Sequence, residues 1–304
     1  MVSASGVQST LQCAYRWRQM DWGRKNGGCG VPCYSWTQLY VIAVLMCKPT
    51  YDVGMSESKF RTRIFCDADL GPDTPATLGP GPAHKLRAVL RASPGDNVLL
   101  FNGRDGEWHA TLTDLGKTKA QALCTHQIRP QMPEPGPWLA FAPLKKDRLD
   151  TIVEKAVELG VERLIPVITA RTENRRVKME RLHQQIIDAA EQCERLTIPT
   201  IDTPLALENI AQTWPQDRAL IIAAERQGAR TLPYVLTGER QALGVLIGPE
   251  GGFKAQELDW LLNLPISIPV SLGPRILRAE TAAIAALAVM QALSGDWTAN
   301  NNQA

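Results

Sequence analysis

Gly244-Val-Leu-Ile-Gly-Pro-Glu-Gly-Gly-Phe253 and Ser271-Leu-Gly-Pro-Arg-Ile-Leu-Arg-Ala-Glu-Thr281 are two stretches of similar build near the carboxyl end of the chain. In each, a short apolar run reads as a buried strand, breaks at Gly-Pro, and gives way to a helical pattern. Pro249 and Pro274 end the strands by removing a ladder donor. Gly248, Gly251 and Gly252 admit backbone angles or close approaches that a Cβ would forbid. Two such strand ends in one α/β region mark the crevice where these sheets hold ligands.

Neither stretch is a nucleotide fingerprint. There is no G-x-x-x-x-G-K-[ST], and no G-x-G-x-x-G follows a strand, so neither a P-loop nor a dinucleotide site is expected. One such turn alone reads as an ordinary strand-to-helix connection. The second, however, carries Arg275, Arg278 and Glu280 beside an otherwise apolar helix, and three charges there need a reason.

Leu246-Ile-Gly-Pro-Glu-Gly-Gly252 followed by Leu272-Gly-Pro-Arg-Ile-Leu-Arg-Ala-Glu-Thr-Ala282 resembles the paired motifs of the RsmE family, SPOUT-class methyltransferases acting on N3 of a uridine in 16S ribosomal RNA. The resemblance runs from about Phe60 to Trp297. It implies a trefoil-knotted α/β domain, S-adenosyl-L-methionine bound in the knot, and a homodimer. Periodicity alone gives no sign of a knot, which is an exception to the usual connection rules.

The 304 residues suffice for two domains with real cores, and the net charge of +2 does not by itself indicate a nucleic-acid partner. Leu39 to Cys47 is only about half the length needed to span a bilayer, so a soluble protein and no membrane partner are expected. Residues 1–54 differ from the rest. They hold Cys13, Cys29, Cys33 and Cys47, show little periodicity, and match nothing in the family. Met55 followed by Ser-Glu-Ser-Lys-Phe60 reads like a family start, so 1–54 are expected to be a non-native or disordered extension. Cys29 and Cys33 lack a second Cys/His pair, and no metal is expected. No small-residue cleavage pattern accompanies the apolar run. The scattered Cys66, Cys124 and Cys193 point to a reducing cytoplasm.

Residues 55–128 read as a small β-rich domain. Arg61–Cys66 is a strand, Asp96–Phe101 and Glu107–Leu112 flank the hairpin turn Asn102-Gly-Arg-Asp-Gly106, and Lys119–Ile128 is a further strand. His84–Arg91 predicts a short helix with Leu86, Val89 and Leu90 on one face, leaving His84, Lys85, Arg87 and Arg91 free. This segment resembles the family's His-x-x-x-Val-Leu-Arg, in a PUA-like β-barrel used for RNA binding. The same basic residues also read as a solvated edge; the resemblance assigns them to phosphates. Residues 129–138, with Pro130, Pro133, Pro135 and Pro137, form a stiff linker.

Residues 139–297 alternate strands and helices as an α/β layer structure does. Trp138–Leu144, Leu164–Ala170, Ala219–Ala223 and Leu243–Ile247 are the strands. A helix with Leu149, Ile152, Val153 and Ala156 on one face is expected to start at an Asp147 N-cap and stop at Gly160. Met179, Leu182, Ile186, Ala190 and Cys193 line another, and Glu280–Ser294 is an Ala-rich closing helix; 298–304 are expected to be a disordered tail.

Hydrolytic and metal chemistry find no support. There is no G-x-S-x-G or H-E-x-x-H, and His183 sits on a polar helix face. Methyl transfer needs less, because a sulfonium donor is already activated and must only be positioned. Leu246, Leu272, Ile276 and Leu277 are candidates to sandwich the adenine. The family match implies that Gly248, Gly252, Leu272, Gly273 and Leu277 line the cofactor pocket, with Leu246, Thr281 and Ala282 in the same motifs. Glu250 and Glu280 either favour the cationic donor or cap a turn or helix N-terminus.

Uracil N3 is nucleophilic only as it loses its proton, when negative charge spreads to the flanking oxygens. A guanidinium placed there stabilises that charge. Arg278 is the first candidate, Arg171 the second, and Glu280 the candidate base; either arginine also reads as a helix-end ion pair. Glu191-Gln-Cys-x-Arg195 matches a family segment, which implies that Gln192 and Arg195 reach the site, and Arg195 is also a candidate RNA contact. Arg175, Arg176 and Lys178, with Lys145, Lys146 and Arg148, read either as an RNA track or as solvated surface. Two other functions remain open: a non-catalytic RNA-binding assembly factor of the small ribosomal subunit, and a SPOUT methyltransferase acting on transfer RNA.

Overall fold

The computed structural model describes residues 62–223, 229–236 and 242–298. The expected extension over 1–54 and all of the expected tail beyond Thr298 lie outside these.

The first sheet collects five strands: β1 (Arg63–Phe65), β2 (Pro75–Leu78), β3 (Asn97–Phe101), β4 (Glu107–Leu115) and β5 (Ala120–Arg129). Their order is β1-β3-β4-β5-β2. The hairpin β3–β4 pairs antiparallel from Asn97 opposite Thr111 to Phe101 opposite Glu107, as its turn residues predict. Three register shifts interrupt β4–β5. Alternation along the strands turns Ile64, Leu78, Val98, Leu100, Ala110, Leu112, Ala122 and Cys124 into one core. β2 escapes a period-two reading because Pro72 and Pro75 announce a loop. It lies at the sheet edge with Pro75 as its first residue, where a missing N–H is tolerated.

The basic helical segment differs from its sequence expectation. Helix α1 (Pro80–His84) starts earlier, with proline in its first turn, and runs into a π-helical turn over Lys85–Val89. That wider turn closes with Leu90 N donating to Lys85 O at 3.0 Å. It rotates Val89 off the buried face, so Leu86 is buried while Val89 is 66% exposed.

The second sheet is parallel, in the order β12-β10-β11-β6-β7-β8. Its strands are β6 (Trp138–Phe141), β7 (Arg163–Ile168), β8 (Thr200–Ile201), β10 (Ala219–Ala223), β11 (Leu243–Ile247) and β12 (Ser267–Val270), and β9 (Leu205–Ala206) pairs with the end of β7. β5 therefore ends at Arg129, β6 begins at Trp138, and the proline-rich connection fills the interval. Both faces of this sheet are covered, which is why its strands read as continuous apolar runs. Phe141, Leu139, Val245, Ile247 and Ile221 face helices α2 (Lys146–Glu158), α3 (Met179–Gln192) and the closing helix. Trp138, Ala140, Leu246, Leu220 and Ile222 face the other way, towards Trp214, Ile210 of the short helix α4 (Ile210–Thr213), and Leu261. A further short helix, α5 (Leu232–Val235), precedes α6 (Ala255–Leu262) and the closing helix α7 (Ala279–Ser294). On α7 the buried residues Ala279, Ala282, Ala283, Ala286, Leu287 and Met290 recur at helical spacing.

Asp147 is not the N-cap of α2. Lys145 holds that place in extended conformation and Asp147 falls within the first turn, where its charge still complements the helix dipole. Gly160 does follow the last turn, at φ +72°.

The two sheets meet through charge as well as packing. Arg63 of β1 is buried; its Nε donates to Glu107, and its Nη1 and Nη2 donate to the Ala190 and Arg195 carbonyls at 2.8 and 3.1 Å. It thus satisfies a carbonyl of the last turn of α3. Arg129 donates to Glu107 at 2.8 Å and to Glu194 O at 3.0 Å. Phe65 N donates to Glu191 Oε1 at 2.8 Å, and Lys85 pairs with the same carboxylate.

Candidate active site

The carboxyl ends of β6, β7, β11 and β12 open on one edge of the parallel sheet, and the connections leaving them are stitched together. Arg171, after β7, donates from Nη1 to Gly251 O at 2.7 Å. Glu257 of α6 accepts from Ala170 N at 2.7 Å and from Lys254 N at 2.8 Å, so one carboxylate closes the start of α6 and ties it to the end of β7. Asn174 Nδ2 donates to Leu144 O at 2.9 Å.

The two glycine turns face this edge differently. At Gly248 a Cβ would lie 2.8 Å from the Phe253 ring, so the ring packs directly on the strand end. Gly252 (φ +66°) and Gly273 (φ +112°) both adopt positive φ, with no described residue within 4 Å of where a Cβ would stand. Backbone at each turn thus borders open space. Leu272 and Leu277 are half-buried against the core beneath α7, Ala282 is buried there, and Thr281 is exposed.

Arg148, in the first turn of α2, joins the turns. Its Nη1 donates to Glu250 Oε1, and its Nε lies 3.7 Å from Glu280 Oε1. Glu280 Oε2 is buried and has no hydrogen-bond partner among the described residues. The cluster of one guanidinium and two carboxylates carries a formal charge of about −1 when all three are ionised. Beside it, Arg278 is the N-cap of α7; its side chain is exposed and makes no hydrogen bond or ion pair among the described residues.

The structure therefore gathers Gly248, Glu250, Gly252, Leu272, Gly273, Leu277, Arg278, Glu280, Thr281 and Ala282, with Arg171 on the flank. Three expectations change. Leu246 is fully buried on the opposite face of the sheet from Leu272 and Leu277, because neighbouring residues of a strand point to opposite sides. Its side chain cannot share an adenine pocket with them, and Ile276, 83% exposed, does not enclose one either. Arg195 is buried, not at an RNA surface. Its Nε pairs with Glu134 at 3.0 Å and its Nη1 donates to Val161 O at 2.7 Å, locking the linker onto the end of α2. Arg148 belongs to the site and not to a surface charge run; its position in the first turn after a core strand that ends at the crevice was the available signal.

Of the remaining basic candidates, His84, Arg87, Arg91 and Arg176 are exposed. Lys85 is engaged with Glu191, and Arg175 folds back on the Thr169 and Ala170 carbonyls at 3.3 and 3.4 Å. A separate cleft of about 270 Å³, lined by residues including Pro137, Glu162, Arg218 and Gln291, opens near the amino ends of the strands and touches none of the turn residues.

Residues 133–291 match the RNA methyltransferase domain family, and residues 86–123 match the RNA methyltransferase PUA domain family. Fold and site thus define an RNA methyltransferase with a PUA-type domain ahead of its catalytic half. Ribosomal RNA small subunit methyltransferase E of Rickettsia conorii is 33% identical over 235 residues, 76% of this chain and 95% of that protein. The Synechocystis protein of the same name is 34% identical over 222 residues, 71% of this chain and 73% of that protein. The crystal structure of ribosomal RNA small subunit methyltransferase E from Neisseria gonorrhoeae, bound to S-adenosyl methionine, matches with a TM-score of 0.70 at 32% identity, covering 79% of this chain and 100% of that one. The chain belongs to the ribosomal RNA small subunit methyltransferase E family, and its fold is the SPOUT-class α/β domain preceded by a PUA-like domain.

Proposed function

We propose that this protein methylates N3 of a uracil in 16S ribosomal RNA of the small subunit, with S-adenosyl-L-methionine as donor. The observation that carries the proposal is the pair of open glycine turns joined by Arg148, with the unpaired Arg278 beside them. The residues present fit the donor. Open backbone at Gly252 and Gly273 accommodates close approach, Leu272 and Leu277 offer an apolar wall, and the Glu250 carboxylate, held by Arg148, suits a cation. When bound, the sulfonium supplies an activated methyl group.

The chain's own residues prepare the acceptor. Arg278 stabilises the negative charge that develops on the uracil oxygens as N3 is deprotonated. Glu280 Oε2, a buried acceptor without a donor among the described residues, takes the proton. Arg171 holds the first glycine turn through Gly251 O and acts on its shape. His84, Arg87 and Arg91, with Arg176 across the domain junction, contact phosphates, and the ion-paired junction joins them to the site's domain. Two copies associate through α7, on whose last turn Leu293 is exposed, with Trp297 exposed just beyond its end; light scattering that finds a monomer overturns this part. No helix among the described residues is long and apolar enough to cross a membrane, and Cys66, Cys124 and Cys193 are free thiols, which suits a cytoplasmic site of action.

The test uses small ribosomal subunits from cells lacking this activity, incubated with the purified full chain and S-adenosyl-L-methionine, with nucleosides analysed by mass spectrometry. The expected product is 3-methyluridine. A different methylated nucleoside overturns the acceptor assignment, and binding without methylation overturns the catalytic one in favour of an assembly factor.

A further inference from the structure

A guanidinium that bridges two carboxylates from separate turns is more than a surface ion pair. Arg148 lies on α2, Glu250 in the connection after β11, and Glu280 in the first turn of α7 after β12. These segments are far apart in sequence, and Arg148 touches both of the others. Glu280 side-chain exposure is 16%, against 32% for Glu250 and 38% for Arg148. The bridge thus runs from a partly wetted end to a nearly dry one, where an ion pair is less screened by solvent.

The two carboxylates are also used unequally. Arg148 sits beside Oε1 of Glu280 and leaves Oε2 buried with no partner. A buried acceptor left unsatisfied costs stability, of the kind that persists where a group is kept ready for a donor that arrives later. At 3.7 Å the contact with Oε1 is an ion pair and not a hydrogen bond; it draws that side of the carboxylate towards α2 and leaves Oε2 as the acceptor without a donor among the described residues.

We propose that Arg148 is a positioning residue for methyl transfer, holding Glu250 for the donor and Glu280 Oε2 for the acceptor's proton. This rests on the uracil N3 reading for its second half only. In the step it serves, the N3–H bond breaks and the proton passes to Oε2. The electron pair left on N3 forms the bond to the incoming methyl carbon, and the pair of the broken carbon–sulfur bond stays with sulfur. One guanidinium therefore aligns the base with the same turn that holds the donor. A lysine at this position is a point charge and lacks the planar fork that reaches two carboxylates at once.

The experiment separates the two halves in the full chain. Calorimetry with S-adenosyl-L-methionine alone, without RNA, is expected to give about tenfold weaker binding for Arg148→Ala and for Glu250→Gln, and little change for Glu280→Gln. Single-turnover methylation at saturating donor is expected to fall about 100-fold for Arg148→Ala and for Glu280→Gln. Because the two act as a unit, the double variant should be about 100-fold slower as well, and not slower by the product of the two. Arg148→Lys is measured alongside; should the alanine form unfold, the same non-additivity with Glu280→Gln is required of the lysine form. Rate loss that saturating donor fully restores, or effects of Arg148 and Glu280 that multiply, overturns the proposal. Failure of the wild-type chain to produce 3-methyluridine overturns the acceptor reading instead, and the donor-binding comparison still decides whether Arg148 acts through Glu250.

Discussion

Arg278 and the glycines beside it show how single residues divide the work. Arg278 caps α7 with its backbone, accepting from Ala282 N at 2.8 Å, so helix geometry does not depend on its side chain. Arg278→Ala should therefore fold normally, bind RNA with little change, and lose about 100-fold or more in the methyl-transfer rate, the cost of one charge-stabilising donor. A parallel loss in RNA affinity, measured by filter binding, would instead make it a phosphate contact. The glycines separate steric need from backbone need. An alanine at Gly248 meets the Phe253 ring at 2.8 Å, and displacing that ring is expected to cost about 1–3 kcal/mol in a urea titration. An alanine at Gly252 meets nothing, but must hold φ +66°, for about 1–2 kcal/mol. Finding Gly252→Ala as stable as wild type would mean that the turn relaxes to another conformation.

At the scale of elements, α2 and α7 are fastened end to side. Gln291 of α7 donates from Nε2 to Leu159 O at 2.7 Å, capping the final turn of α2, and accepts from Asp296 N at 3.1 Å. Gln291→Ala removes both partners at a buried position and should cost about 1–3 kcal/mol, read as a lower urea midpoint with an unchanged slope. The elements themselves were largely legible. Apolar runs bounded by glycine and proline marked the parallel strands, three-to-four spacing marked α2 and α3, and an alanine-rich run marked α7. What escaped has physical reasons. The edge strand β2 looks like a loop because an edge tolerates Pro75. Val89 follows an α-helical pattern that the π turn breaks, and Lys145 displaces Asp147 as N-cap through backbone geometry that composition does not encode. At the site, the two motifs marked where the turns fall, yet the face of Leu246 depends on strand register, and the partners of Arg148 and Arg195 come from distant segments. Charge runs in a sequence do not reveal which members find a carboxylate after folding.

On the scale of the whole molecule, the junction between the two sheets joins the PUA-type domain to the α/β domain, and that junction is ionic at its centre. Burial by itself would push the Glu107 carboxyl up, but hydrogen bonds from Arg129 and Arg63 outweigh it and hold the group below the usual carboxylate range. The direction fixes the pH dependence. A carboxyl whose folded value is depressed contributes stability that is fully present above its unfolded value, about 4.3, and is lost as pH falls through the lower folded value. Below that point Arg63 keeps its charge in a buried place with no counter-ion, while its other hydrogen bonds run to the carbonyls at the end of α3. Acid should thus loosen the junction together with the last turn of α3. Glu107→Gln imposes the same loss at neutral pH, at about 3–5 kcal/mol for breaking a buried pair from one side. Urea midpoints for wild type and Glu107→Gln should differ widely at pH 7, and the gap should close as pH drops below about 4. A gap that stays constant across that range would mean that Glu107 holds the junction by shape, and that the acid sensitivity of the molecule arises elsewhere.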